Sequence, residues 1–221
     1  QNFSTTEIYG NKFSCTSGQI SKIPYNGQQT RYHISVGGVD GLTIGNSALN
    51  KNIFQNASKA IFVTNSNVDI INNQFEWIPN NLNTWGEAIY IDGKPTISTI
   101  RKIGGNVNAN DKNTFINWKQ NITVSNAGKI LIENNVINPD PANRSFVGIS
   151  QQKCTDVTIK GNAINRSNNG IKLFDNPGPT VTVTLNTFNK NFAYDFTKYD
   201  DEAIRFENNL DMKTKLYTIT N

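Results

Sequence analysis

The stretch Lys129–Ile137, KILIENNVI, decides the fold. It opens on apolar residues in alternation, reaches an Asn at 135, passes one variable residue and ends on an apolar one. Val157–Ile164, VTIKGNAI, repeats the phrase around Asn162. The same beat closes at Phe13, Phe54 and Phe75, with looser copies around Asn106, Asn186 and Asn209. The anchoring asparagines are thus Asn11, Asn52, Asn73, Asn106, Asn135, Asn162, Asn186 and Asn209. After the first gap they recur roughly every 21 to 33 residues, a period at which one supersecondary unit repeats. Two-residue alternation inside each unit specifies strands rather than helices.

Asn suits a corner between strands because it tolerates the left-handed backbone region and bonds its own local backbone. In a coil climbing one strand spacing per turn, such corners stack and their amides can bond along the ladder. The apolar residue two positions on then turns inward. With this series of Asn-x-apolar beats the chain resembles the right-handed parallel β-helix repeat family of the pectin-lyase-like superfamily. The resemblance runs over nearly the whole chain. It implies an all-β fold, a right-handed single-stranded parallel β-helix solenoid of about eight coils. It also implies that one sheet and its bordering loops form a sugar-binding cleft.

Composition agrees with a narrow core in a polar shell. Asn makes up about one residue in six, and the sparse apolar residues fall in phase. The 221 residues read as one domain over 1–221, or as a segment of a larger protein, with an inserted loop at 14–31. The formal charge of +4 is scattered, which points to no nucleic-acid partner. No apolar run is long enough to insert in a membrane. Cys15 and Cys154 fall about four coils apart, too far for a disulfide, so two free thiols are expected. Sequons at Asn2, Asn56, Asn121, Asn143 and Asn165 occur at about the chance rate for so much Asn, Ser and Thr. Neither end reads as a cap, so flanking domains or a homo-oligomer are expected to cover the solenoid ends.

Counting back from each corner Asn places the first strand of each coil. These are Tyr32–Val36, Lys59–Thr64, Glu87–Lys94, Asn121–Ser125, Val147–Gln151, Gly170–Phe174 and Tyr194–Thr197. Ile61, Ile89, Ile122, Ile149 and Ile171 should stack as one inward column. Alternation then turns Ser35, Phe62, Tyr90, Thr123, Ser150, Lys172 and Asp195 outward, beside a column holding Thr64, Asp92 and Ser125. Extra residues collect at Ser14–Arg31, Glu76–Gly86, Asn108–Gln120 and Asn138–Phe146. The last three belong to consecutive coils and are expected to stack at one corner. They would carry Trp77, Trp85, Trp118, Arg144 and Phe146 to the rim of the face holding Tyr90 and Asp92.

Trp faces stack on sugar rings, and cationic or amide side chains bond hydroxyls. Trp85, Trp118, Arg144 and Lys172 are therefore the candidate substrate-binding residues, and Tyr90, Asp92 and Lys94 the candidate catalytic ones. A glycosidase needs two carboxylates about 5–9.5 Å apart, which the spacing of Asp92 and Asp195 does not supply. A lyase needs a base and a cation, for which Tyr90, Lys94, Lys172, Arg144 or the lone His33 qualify. The sequence has no Gly-His-Gly motif, no His/Cys metal cluster, no phosphate loop and no Ser-His-Asp series, and no cofactor is expected. Two function classes follow. One is an extracellular or cell-surface module that binds a polysaccharide, with polysaccharide lyase or glycoside hydrolase chemistry if any. The other is a structural or adhesive solenoid segment of a surface protein or phage tailspike.

Overall fold

The alternations become three short strands per turn, and each strand pairs in parallel with its counterpart one turn away. The computed structural model describes residues 6–15, 32–46, 50–78, 86–93, 101–105, 111–138, 145–175, 180–189, 202–207 and 216–220. The first two turns comprise β1 (Thr6–Ile8), β2 (Lys12–Ser14), β3 (Tyr32–Gly37), β4 (Asp40–Ile44), β5 (Asn52–Gln55) and β6 (Lys59–Thr64). Next come β7 (Asn67–Ile70), β8 (Asn73–Glu76), β9 (Glu87–Asp92), β10 (Arg101–Ile103), β11 (Thr114–Ile116) and β12 (Gln120–Ser125). Then follow β13 (Lys129–Glu133), β14 (Val136–Ile137), β15 (Ser145–Gln152), β16 (Asp156–Lys160), β17 (Ala163–Asn165) and β18 (Ser167–Phe174). The series ends with β19 (Thr180–Thr184), β20 (Thr187–Asn189), β21 (Glu202–Glu207) and β22 (Leu216–Thr220).

Every third strand joins the same sheet. Sheet A has eight strands from β1 to β22, sheet B seven from β2 to β20, and sheet C seven from β3 to β21. This is a right-handed, single-stranded parallel β-helix of seven full turns with an eighth begun. No α-helix occurs among the described residues.

Each sheet stacks like on like. In sheet C the column is Ile34, Ile61, Ile89, Ile122, Ile149, Ile171 and Ile204, in direct register from turn to turn. In sheet A, Ile8, Ile44, Ile70, Ile103, Ile132, Ile159 and Val183 do the same. Sheet B stacks the rings of Phe13, Phe54, Phe75 and Phe115, with successive centroids 4.9, 5.0 and 4.8 Å apart. A thin core thereby gains ring-on-ring contact at every step.

The turn from sheet A to sheet B carries the Asn ladder. Asn162 is fully buried and its amide nitrogen donates to Ile132 O (3.0 Å), Lys160 O (3.1 Å) and Asn186 Oδ1 (2.9 Å). Its own Oδ1 accepts from the backbone N–H (3.0 Å) and the side-chain amide (2.9 Å) of Asn135. Asn11, Asn52, Asn73 and Asn113 repeat this arrangement down the solenoid. The left-handed residue is not the ladder Asn but the one before it, as at Asn72 (φ 52°), Asn134 (φ 53°) and Gly161 (φ 64°). The corner therefore needs two residues with separate tasks, one to bend the chain and one to bond the turns.

Three expectations are corrected. The ladder residue of the fourth turn is Asn113, not Asn106, which lies outside the described residues. Asn113-Thr-Phe115 obeys the Asn-x-apolar rule, whereas Asn106-Val-Asn108 does not. The extra residues of that turn consequently fall between sheets A and B, and the passage from β11 to β12 is a tight corner of Asn117, Trp118 and Lys119. Glu76–Gly86 and Asn138–Phe146, two turns apart, remain with Ser14–Arg31 among the connections from sheet B to sheet C, and 190–201 adds a further one. Finally, the last strand of sheet C is Glu202–Glu207, pairing Ile171 with Ile204, and not Tyr194–Thr197, which is outside the described residues. Cys15 and Cys154 form no disulfide, as expected.

Candidate functional site

The outward face of sheet C is built from three columns. The first runs Tyr32, Lys59, Glu87, Gln120, Val147, Asn169 and Glu202. The second runs Ser35, Phe62, Tyr90, Thr123, Ser150, Lys172 and Arg205, and the third Gly37, Thr64, Asp92, Ser125, Gln152, Phe174 and Glu207. Arg205 and Glu207 thus occupy the positions first assigned to Asp195 and Thr197.

At one end of the face three rings stack on one another. Tyr32 lies 4.7 Å from Phe62 with planes 12° apart, and Phe62 lies 5.7 Å from Tyr90 at 28°. Near-parallel rings 4.7 Å apart can only overlap face to face, because coplanar rings that close would collide. Tyr32 and Phe62 therefore each cover one face of the other. Lys59 Nζ sits 4.8 Å from the Tyr90 ring centre and 2.8 Å from Glu87 Oε2. Asp92 Oδ1 accepts a hydrogen bond from Asn126 Nδ2 at 2.9 Å.

The opposite end is a closed ionic group. Lys172 Nζ and Arg205 Nε reach Glu207 at 2.7 and 2.6 Å, and Arg205 also lies 3.6 Å from Glu202. Hydrogen bonding from Lys172 holds the Glu207 carboxyl below its usual range. Phe174 lies beside Lys172, with Nζ 5.9 Å from its ring centre. Between the two ends the face is uncharged. Thr123, Ser150 and Gln152 are half-buried there and Ser125 is buried. No hydrogen bond ties the side chains of Ser150 and Gln152 to another described residue.

Of the candidate residues, Tyr90, Asp92 and Lys172 stand on this face. Tyr90 and Asp92 share β9, while Lys172 is three turns away, about 14 Å by strand spacing. Lys94, Trp85 and Arg144 lie outside the described residues. Trp118 is corrected: it is fully buried and meets Trp77 edge-on at 5.3 Å, so no face is open for a sugar. The cause is the tight corner that carries it, in place of the expected long loop. Gly86 supplies the room, since a Cβ there would stand 2.8 Å from Trp77 and 2.9 Å from Trp118. The Trp118 indole nitrogen is buried without an acceptor among the described residues.

Sequence reasoning missed Glu202, Arg205 and Glu207. A signal was present, because Glu202-Ala203-Ile204 repeats Glu87-Ala88-Ile89 at the start of β9. It also missed the adjacent Asp200 and Asp201, which precede β21 and lie outside the described residues.

Asp92 has no second carboxylate at hydrolytic spacing on its own strand. Glu87 is the other carboxylate on Asp92's strand, five residues and about 16 Å along it. The lone His33 is not on the face. Its half-buried ring lies 6.0 Å from Phe13 and 6.1 Å from Phe54, with Nε2 3.6 Å from Cys15 Sγ. Burial lowers its pKa to about 4, so the imidazole is neutral near pH 7. On sheet A, Glu133 is buried between Lys160 (3.1 Å) and Lys102 (3.5 Å). Burial raises the pKa of nearby Asp69 against the opposing pull of Lys102. These groups bind turn to turn. No group of three or more His, Cys, Asp or Glu among the described residues has the arrangement to hold a metal ion.

Comparison with family models, with curated proteins and with solved structures gave no match.

Proposed function

We propose that the chain is an extracellular or cell-surface member of the pectin-lyase-like superfamily that binds a polysaccharide along the outward face of sheet C. The observation carrying this reading is the uncharged strip of Thr123, Ser150 and Gln152, bounded by Tyr90 at one end and Phe174 at the other. A flat run of hydroxyl and amide groups repeats at every turn, and an extended polymer can follow it. The aromatic side chains of Tyr90 and Phe174 border it. The activity proposed is binding; Tyr90 and Asp92, the two candidate catalytic residues on the face, have no second carboxylate at hydrolytic spacing on their strand.

The test is a glycan array read with the intact chain, followed by titration of any ligand found. Gln152→Ala and Thr123→Ala should each weaken binding about 2–10-fold, the value of a hydrogen bond, while the far-UV spectrum stays unchanged. Binding that ignores both substitutions would end this reading.

A second reading, a structural or adhesive solenoid segment without catalysis, is favoured by Trp118. The residue best suited to stack on a sugar instead packs against Trp77 inside the corner. It predicts no glycan retention and a chain whose turns resist separation.

A further inference from the structure

We infer that the sheet C face takes a neutral, hydroxyl-rich glycan and discriminates against uronate or sulfate-bearing polymers, a specificity that rests on the polysaccharide-binding reading. The chain as a whole carries +4, which would suit an acidic polymer. The face does not share that sign. Its three columns hold three cations against four carboxylates, one negative charge in excess.

The cations are also occupied. Lys59 is held by Glu87 at 2.8 Å, Lys172 by Glu207 at 2.7 Å, and Arg205 by the same Glu207 at 2.6 Å. A uronate carboxylate approaching any of them competes with a carboxylate already anchored on the sheet, which loses little freedom on pairing; that carboxylate is on the neighbouring strand for Lys59 and Lys172 and on the same strand for Arg205. Binding the uronate frees that Glu beside it, so like charge replaces the pair that was broken. Asp92 stands on the same face with its carboxylate oriented by Asn126. A neutral hydroxyl meets neither obstacle. Asp92 accepts from it, and Ser150 and Gln152 both donate and accept, so a sugar OH finds partners of either sense. The central strip adds no charge to screen, so salt should matter little there.

The experiment compares neutral and acidic glycans on one array, including galacturonan and its fully methyl-esterified form, at about 0.05 and 0.5 M NaCl. The expected result is retention of neutral glycans, with affinity changing less than about twofold between the two salt levels. Preferential retention of acidic glycans, weakened about tenfold or more by salt, would overturn the inference while leaving polysaccharide binding intact. Retention of none overturns both. Ser150→Lys and Ser150→Glu then locate the ligand. Both should weaken a neutral glycan to a similar extent by crowding the strip, whereas a separation of about tenfold or more between them marks an acidic ligand. If neither changes binding, the ligand lies off this face and the inference fails.

Discussion

Asn162→Ala tests what holds the turns together. The side chain is fully buried; its two amide hydrogens are shared among Ile132 O, Lys160 O and Asn186 Oδ1, and its Oδ1 accepts two hydrogen bonds from Asn135. Removing it strips the Asn135 backbone N–H and one Asn186 lone pair of their partners inside a dry corner. A hydrogen bond contributes about 0.5–1.5 kcal/mol net, and a buried group left unpaired costs about 1–3 kcal/mol. With Asn135 Nδ2 still held by Ile103 O and Glu133 O, we expect a loss of about 3–5 kcal/mol. Urea unfolding followed by circular dichroism would measure it. Asn165, half-buried with one such bond to Ile137 O at 3.2 Å, is the control, and its Ala variant should lose about 1 kcal/mol or less. Asn162→Asp sharpens the test, since it preserves shape and acceptors but turns a carboxylate toward three acceptors. It should destabilise more at pH 7 than at pH 4, where the acid regains a donor. A loss below about 1 kcal/mol for Asn162→Ala, equal to the control, would refute the ladder as a source of stability.

Ile149→Ala, in the middle of the sheet C column, should cost about 2–5 kcal/mol as a cavity, read from the same denaturation curves. Leu185 is 66% exposed at φ 54°, the left-handed corner position that Asn72 and Asn134 fill elsewhere. Leu185→Asn should therefore stabilise by about 1 kcal/mol, and an unchanged or lowered melting point would count against that account of the corner. His33 is disfavoured as a cation in the fold, with its pKa lowered from 6.5 to about 4. The unfolded chain therefore binds the proton more readily between those values. The stabilisation is complete above pH 6.5 and is lost as pH falls towards 4. Discounted for the ring's partial exposure, it amounts to about 1–2 kcal/mol. His33→Phe should flatten this dependence, and an unchanged pH profile would show that His33 is not its source.

The fold was legible because its rule is local and redundant. Asn135 and Asn162 each announce a corner, the next-but-one residue announces the core, and neighbouring turns repeat the message. Stacking then amplifies small propensities, since a residue that fits one turn finds its like above and below. The fourth turn shows where this fails. Asn106 and Asn113 both follow Ile103, and the segment around Asn106 offers a looser copy of the beat that the ladder does not use. Asn113-Thr-Phe115 was the better match, and the ring of Phe115 stacking 4.8 Å from Phe75 shows why it prevails. A solenoid sets register by what stacks, not by how many residues intervene, so corner insertions of any length leave it intact.

The site was less legible for the same reason. Alternation fixes which side of sheet C faces outward, and Tyr90, Asp92 and Lys172 stand on that side. Where a loop begins decides whether its residues line a rim or fill a corner, and that depends on the ladder position. Moving the anchor from 106 to 113 converts Trp118 from a rim residue into a packed one, opposite Trp77 and over Gly86. Moving the last strand to β21 replaces Asp195 with Arg205 and closes the ionic group that neutralises Lys172. Both errors pointed the same way, towards an exposed aromatic rim and a free cation, the attributes of a site for an acidic sugar. With the register corrected, the strip left open to solvent is neutral at its centre and its cations are paired. A hydroxyl-rich ligand is the one such a surface can bind without first breaking the contacts that hold its own turns together.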